Sequence, residues 1–300
     1  MPSDNPFVSV VIPVYNGEDY VSSCIERLKN QTYPRKDYEV IVVDNMSTDS
    51  TREILESNNL GYLTAETAGP SAARNVGIQN ASGDIIIFID IDCFCDPDFI
   101  ECHVKAHHFH CNNDERIQVI GGSISGINNN FIAVCDDYSS WYHYHPKMDV
   151  RENAIFLPTA NLSVAREVFS IVGGFDENLR YGEDLAFCMR LRDANIRVCF
   201  DPSAKLKHVN RTSITDLFMH AVNWGMGDNN ALINGYRGKP NRILLLLNSL
   251  ANVLIYMLHP AYCCIRTKRW AFIIFFPFVA AHRAVFALTL IWGAVHYSFT

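Results

Sequence analysis

Asp90-Ile91-Asp92 follows directly on the apolar run Asp84–Ile89. Two carboxylates two residues apart at a strand end can converge, through the turn, on one divalent cation. Magnesium and manganese prefer such oxygen ligands and keep room for substrate phosphates. The plainer reading of the same residues is a polar turn with a helix N-cap. Other candidates fall where a nucleoside-diphosphate site would need them. Pro13, Tyr15 and Asn16 follow the first apolar run, and Asp44 follows the second. Asp44 could accept hydrogen bonds from a base or ribose, or cap a turn. Arg74 stands near the start of a helical stretch, where its guanidinium suits either a diphosphate or a surface ion pair. Glu183-Asp184 is a second acidic pair, remote in sequence and again at the start of an element.

The elements that must position these residues alternate in type. Phe7–Ile12 reads as a strand closed by Pro13, and Val21, Cys24, Ile25 and Leu28 mark one face of a helix. Glu39–Val43 is a second buried strand, followed by a short helix over Thr51–Glu56 and a weaker strand near Leu60–Thr64. A helix starts at Pro70, where proline suits the first turn. Uninterrupted apolar strands between helices predict a parallel sheet covered on both faces. Ligands of such sheets bind beyond the carboxyl ends of the strands, which is where the candidate residues lie. The later half is less regular. An aromatic stretch, WYHYHP, spans Trp141–Pro146, and Leu185, Cys188, Met189 and Arg192 share one helical face after Asp184.

The 300 residues are 49% hydrophobic and 19% charged, a folded composition. A net charge of −7 and a pI near 5.9 exclude a dedicated nucleic-acid binder. Charge is unevenly spread. Residues 229–300 hold seven of the 25 cations and none of the 32 acids, leaving 18 cations against 32 acids in the first 228. An acidic body with a basic, apolar tail points to a membrane-facing end. Ile243–Cys264 is a stretch of 22 residues without a formal charge, long enough to span a bilayer, and Trp270–Val295 is interrupted by His282-Arg283. One crossing would place Arg266, Lys268 and Arg269 outside, against the positive-inside tendency. A re-entrant or interfacial hairpin on the cytoplasmic face of the cell membrane avoids that conflict. The ten scattered cysteines and the polar, acidic N-terminus predict a reducing, cytoplasmic setting with no signal peptide. Cys95, Cys102, His103, His107, His108, His110 and Cys111 are dense but lack complete zinc-ligand spacing.

VSVVIPVYN, EVIVVDNMSTDST, GPSAARNVGI, IIIFIDID, GGFDE and GEDLAFCMRLRD resemble, in order and spacing, the landmarks of glycosyltransferase family 2 over residues 7–215. That family comprises inverting enzymes of the GT-A fold, a Rossmann-like, mostly parallel α/β sheet. The resemblance implies a catalytic domain over 1–215, and the change in composition beyond it predicts a helical connector over 216–241 and hydrophobic membrane-associated helices over 242–300. The resemblance also implies a nucleotide-sugar donor, most commonly a UDP-sugar. Asp44 would contact the base and Arg74 would lie near the donor, beside Pro13, Tyr15 and Asn16. Asp90 and Asp92 would hold Mg²⁺ or Mn²⁺ on the diphosphate, His208 could complete the metal shell, and Arg211 could contact phosphate. Asp184 maps to the catalytic base. Trp141, Asn161 and Glu183 are acceptor-side candidates, because acceptor specificity in such folds comes from the later half.

The expected reaction is transfer of one sugar to a lipid-linked or cell-envelope glycan intermediate. A processive polysaccharide synthase and a catalytically silent membrane scaffold are the alternatives. Arg266, Arg269 and Trp270 echo the (Q/R)xxRW motif of processive relatives, but stand beyond a long apolar segment. A basic-aromatic membrane-interface link explains them better.

Overall fold

The computed structural model describes residues 5–127, 129–235, 258 and 260–296. The order is β1 (Val8–Val14), α1 (Val21–Lys29), β2 (Tyr38–Asp44), α2 (Thr51–Ser57), β3 (Tyr62–Thr64), α3 (Pro70–Asn80) and β4 (Ile85–Ile89). There follow β5 (Cys93–Cys95), α4 (Phe99–Asn113), β6 (Ile117–Gly126), α5 (Phe131–Ser140), β7 (Asn161–Ala165) and α6 (Val168–Val172). The last elements are α7 (Glu183–Asp193), β8 (Arg197–His208), α8 (Ile214–Gly235) and α9 (Phe272–His296). One eight-stranded sheet has the order β3-β2-β1-β4-β7-β6-β8-β5.

The parallel sheet expected from the first half is present: β1 pairs parallel with β2 and β4, and β2 with β3. Every residue of β4 is buried, as its unbroken Ile-Ile-Ile-Phe-Ile run requires. Strand β1 continues through Pro13, paired with Val43, two residues past the expected stop. Proline keeps an extended φ and forfeits only one ladder donor. The later half departs from the parallel pattern. Strand β7 runs antiparallel to both β4 and β6, while β6 and β8 are parallel.

Packing sets where the candidate site forms. Val21, Cys24, Ile25 and Leu28 are the buried residues of α1, as their spacing demands. A Cβ at Gly77 would lie 2.3 Å from Val11 Cγ1, so glycine lets α3 settle closely on β1. Arg74, one turn earlier, is thereby brought against the strand ends. The buried histidines of α4 are engaged in hydrogen bonds. His103 shares hydrogen bonds with Asn161 Oδ1 and Ser163 Oγ, His107 with Ser163 Oγ, and His110 with Asp201. Burial pushes His103 down to about 4 and His107 to about 3, so both rings are neutral at physiological pH.

The C-terminal helix lies along the α/β body. Phe272 and Val279 pack with Tyr138 of α5 and Cys264, while Phe286 and Leu290 pack with Ala221 of α8. His282 and Arg283 are buried against protein, and Arg283 donates to the Ser139 carbonyl. The basic link is a clasp: Arg266 pairs with Asp149, and Arg269 with Asp137 while lying over the Tyr138 ring. Two of its three cations therefore bind protein carboxylates, where the sequence reading had them facing a membrane. Most of Ile243–Cys264, and the last part of the 216–241 connector, lie outside the described residues.

Candidate active site

The carboxyl ends of β1, β2 and β4 open into a cavity of about 810 Å³. Pro13 and Tyr15 line it from β1, Asn45 and Met46 from the loop after β2, and Asp90 and Asp92 from the loop after β4. Glu183 and Asp184 enter from the start of α7. Trp141, His208 and Arg211 close the opposite side. The cavity lies where the topological rule for open α/β sheets puts ligands, past the parallel strand ends.

The structure places Asp44, Asn16 and Asn161 off the cavity wall, and Arg74 and Glu183 on it. Asp44 is fully buried and bound to Arg52 at 2.6 Å, so its carboxylate is absent from the cavity wall and Asn45 stands there instead. Asn16 also lies off the wall. At a φ of 51° it locks the β1 turn, its Oδ1 accepting from Thr48 N at 2.8 Å, in a conformation asparagine tolerates. Arg74 reaches the cavity, but its Nη1 donates to Glu183 at 2.8 Å and its Nη2 to Asp90 at 3.0 Å. The guanidinium thus bridges two carboxylates at the cavity wall. Glu183, its buried counter-ion, lines the same cavity. Asn161 sits in the core, its Nδ2 donating to the Ser123 and Ala204 carbonyls. Its neighbours Thr159 and Ala160 do line the cavity.

Asp184 stands in the first turn of α7, where the Leu185 N–H donates to its Oδ1 at 2.9 Å. Burial, then the charges of Glu183 and Asp228, push its carboxyl well above the usual range, and Arg74 pulls the other way. A partly accessible carboxylate with a raised pKa, at a cavity wall, is suited to take a proton. Gly182, immediately before α7, has a φ of 80°, and a Cβ on it would lie 2.4 Å from the Gly227 carbonyl oxygen. Helix α8 therefore presses directly on the start of α7.

That contact brings residues that the sequence reading did not single out. His220 and Trp224 of α8 line the cavity, and Asp228 acts on Asp184 by its charge. Their spacing at i, i+4 and i+8 is the signal that one face of α8 meets something polar.

At the other side, Asp92 Oδ2 and His208 Nε2 are 3.5 Å apart. Ligand atoms of Asp92, Cys93 and His208 all lie within 4.8 Å of one another, and Cys93 is the direct cross-strand partner of His208. Asp92 and His208 offer the carboxylate oxygen and imidazole nitrogen that a divalent cation takes, and Asp90 lines the same cavity two residues before Asp92. Asp136 holds Arg211 through both backbone N and Nη1, at 3.0 and 3.1 Å, which stations the guanidinium at the wall. Trp141 stacks beside His208 with centroids 4.9 Å apart. The rest of the aromatic stretch is core, with Tyr142 and Tyr144 buried.

A mixed α/β sheet with these acidic residues past its strand ends has the architecture of a GT-A transferase. The family model described as Glycosyl transferase family 2 matches residues 9–158, and the one described as Glycosyl transferase family group 2 matches residues 85–299. The chain belongs to glycosyltransferase family 2. It is 33% identical over 206 residues to Glycosyltransferase AglE of Haloferax volcanii, covering 67% of this chain and 66% of that protein. It is 24% identical over 247 residues to the dolichyl N-acetyl-alpha-D-glucosaminyl phosphate 3-beta-D-2,3-diacetamido-2,3-dideoxy-beta-D-glucuronosyltransferase of Methanococcus voltae, covering 77% of this chain and 75% of that one. Among solved structures, the mannosyltransferase PcManGT of Pyrobaculum calidifontis, in complex with GDP-Man and Mn²⁺, superposes with a TM-score of 0.63 at 18% identity. That likeness covers 99% of this chain and 88% of PcManGT. S. aureus TarS 1–349 in complex with UDP superposes at 0.51 and 18% identity, covering 97% of this chain and 91% of that one.

Proposed function

We propose that this glycosyltransferase moves a single sugar, with inversion, from a nucleotide-sugar donor to a lipid-linked or cell-envelope glycan acceptor. One observation carries the reading: a carboxylate with a raised pKa and a cation-fitting acidic cluster line the same cavity. The acceptor hydroxyl oxygen attacks the anomeric carbon from the face opposite the diphosphate. The bond from that carbon to the leaving oxygen breaks with its electron pair, and the acceptor proton passes to Asp184. No covalent enzyme intermediate is required. Asp90, Asp92 and His208 would hold Mg²⁺ or Mn²⁺, and Arg211 would add positive charge near phosphate. When bound, the cation supplies neutralising charge to the leaving diphosphate. Pro13, Tyr15, Asn45 and Met46 form the donor side, and Arg74 acts there by holding Asp90 in place.

A UDP-sugar is the donor proposed here, in line with the UDP complex of the TarS structure; PcManGT was solved with GDP-Man. The lipid-linked acceptor is supported by the dolichyl-linked acceptor in the name of the Methanococcus voltae relative. The ion pairs of Arg266 and Arg269 give the RxxRW residues a structural duty outside the cavity, which favours single transfer over a processive synthase. Asp92→Asn should weaken Mn²⁺ binding by about 100-fold or more, since even outer-shell partners of metal ligands cost 10–100-fold. Transfer activity should fall in parallel, and full activity after chelation with the donor saturating would overturn the cation assignment.

The tail serves the same reading as an interfacial anchor at the cytoplasmic face of the membrane. Phe272–Gly293 is long and apolar enough to cross a bilayer by length and composition. Its inner face, however, packs on α5 and α8. The outer face presents Ile273, Ile274, Leu288 and Trp292, and α8 adds Met219 and Met226. An apolar face on a helix docked along a catalytic domain suits burial in the headgroup boundary better than a crossing. The wild-type protein should therefore remain with membranes in high salt, and Leu288→Glu with Trp292→Glu should move most of it to the soluble fraction. Release of most wild-type protein by salt alone would sink the anchor.

A further inference from the structure

Asn210 is 2% exposed and lies behind the cation-fitting cluster, with no place on the cavity wall. Its Nδ2 donates to the Ala133 carbonyl of α5 at 2.9 Å, and its Oδ1 accepts from Trp141 Nε1 at 3.1 Å. A backbone carbonyl can only accept, and an indole N–H can only donate. These two partners settle which end of the Asn210 amide is oxygen. That oxygen also faces His208 Nδ1 at 3.3 Å, so Nδ1 must carry a proton. A neutral imidazole has one N–H, which leaves a lone pair on Nε2. Nε2 is the atom 3.5 Å from Asp92 Oδ2. That separation fits two ligand atoms of one divalent cation.

The backbone around Asn210 is shaped for it. A Cβ on Gly126 would lie 2.2 Å from Asn210 Nδ2, and Gly126 pairs in register with His208 on the neighbouring strand. Only glycine at position 126 leaves space for the amide in this place.

We propose that Asn210 is a positioning residue, which fixes His208 as the Nδ1–H tautomer and aims Nε2 at the divalent cation. The inference rests on the reading that Asp92 and His208 hold that cation. Ring partners of this kind orient metal-ligating histidines, and their loss typically costs 10–100-fold in metal affinity.

Mn²⁺ titration of the full-length protein, followed by the EPR signal of free Mn²⁺, tests it without any assay of turnover. Asn210→Ala should weaken Mn²⁺ about 10–100-fold. In a His208→Ala background, Asn210→Ala should add nothing further. An equal loss in both backgrounds would make Asn210 merely structural. If His208→Ala alone leaves Mn²⁺ affinity unchanged, the cation assignment itself fails, and this inference with it. If His208→Ala weakens binding and Asn210→Ala does not, only the positioning role falls. Should the Ala variant not fold, ¹⁵N-histidine NMR of the wild type decides: His208 should show a protonated Nδ1 and a bare Nε2, and the reverse pattern overturns the proposal.

Discussion

Asp184→Asn is expected to lower the turnover of transfer by roughly 10²–10⁴-fold, the usual contribution of a positioned general base. Donor affinity should change little, because the base acts on the acceptor proton and its loss appears in kcat rather than in binding. A large loss of donor affinity with intact turnover would instead make Asp184 a donor ligand. The raised pKa adds a pH signature. Asp184 must be ionised to act, so activity should rise with pH along an acid limb placed above the ordinary carboxylate range. Asp228 contributes to that elevation by its negative charge. Asp228→Asn should therefore move the acid limb to lower pH, and an unmoved limb would show that the coupling is absent. Stability should move oppositely to activity. A carboxyl whose folded pKa lies above its unfolded value favours the fold below the unfolded pKa, and that benefit is lost as pH rises through the folded pKa. At pH 8 the Asp184→Asn variant, uncharged at this position, should thus melt no lower than wild type, while being nearly inactive.

Arg74→Met is expected to give the largest loss of stability of any single substitution at the site. The Arg74 and Glu183 side chains are 5% and 10% exposed, so water does little to screen their pairing. Removing one partner of a buried pair leaves an uncompensated charge, at a cost of about 3–5 kcal/mol. For a domain of this size that corresponds to a fall of about 10 °C in melting temperature. The double substitution Arg74→Met with Glu183→Leu should recover much of the stability, because apolar residues of similar volume replace buried ion pairs at little cost. A single variant that melts within about 2 °C of wild type would show that the bridge contributes little.

Much of the fold was legible because β1, β2 and β4 are unbroken apolar runs separated by helical periodicity. Such runs bury on both faces wherever they pair, so composition alone dictates a parallel, covered sheet. The same logic singled out Asp90, Asp92 and Tyr15 after strand ends and Asp184 at a helix start, and all four line one cavity. Strand β7 escaped that reading: its antiparallel direction depends on how the chain returns from the segment after α5, which no local pattern records.

Partnership was the larger gap. Arg74 and Glu183 are separated by 109 residues, and nothing near Arg74 in the sequence shows that its guanidinium is held internally. Asp44 carries the right residue type after the right strand, yet Arg52 from the next helix turns it inward. Arg266 and Arg269 look like free basic charge until Asp149 and Asp137 fold against them. Asn161 and Asn210 are ordinary polar residues in the chain, and burial makes both of them junctions of hydrogen bonds. Periodicity reports which face of an element is apolar, and strand ends report where a ligand can sit. Which charge meets which countercharge is decided only when elements remote in sequence are packed into contact, because a buried ion takes its partner from space rather than from the chain.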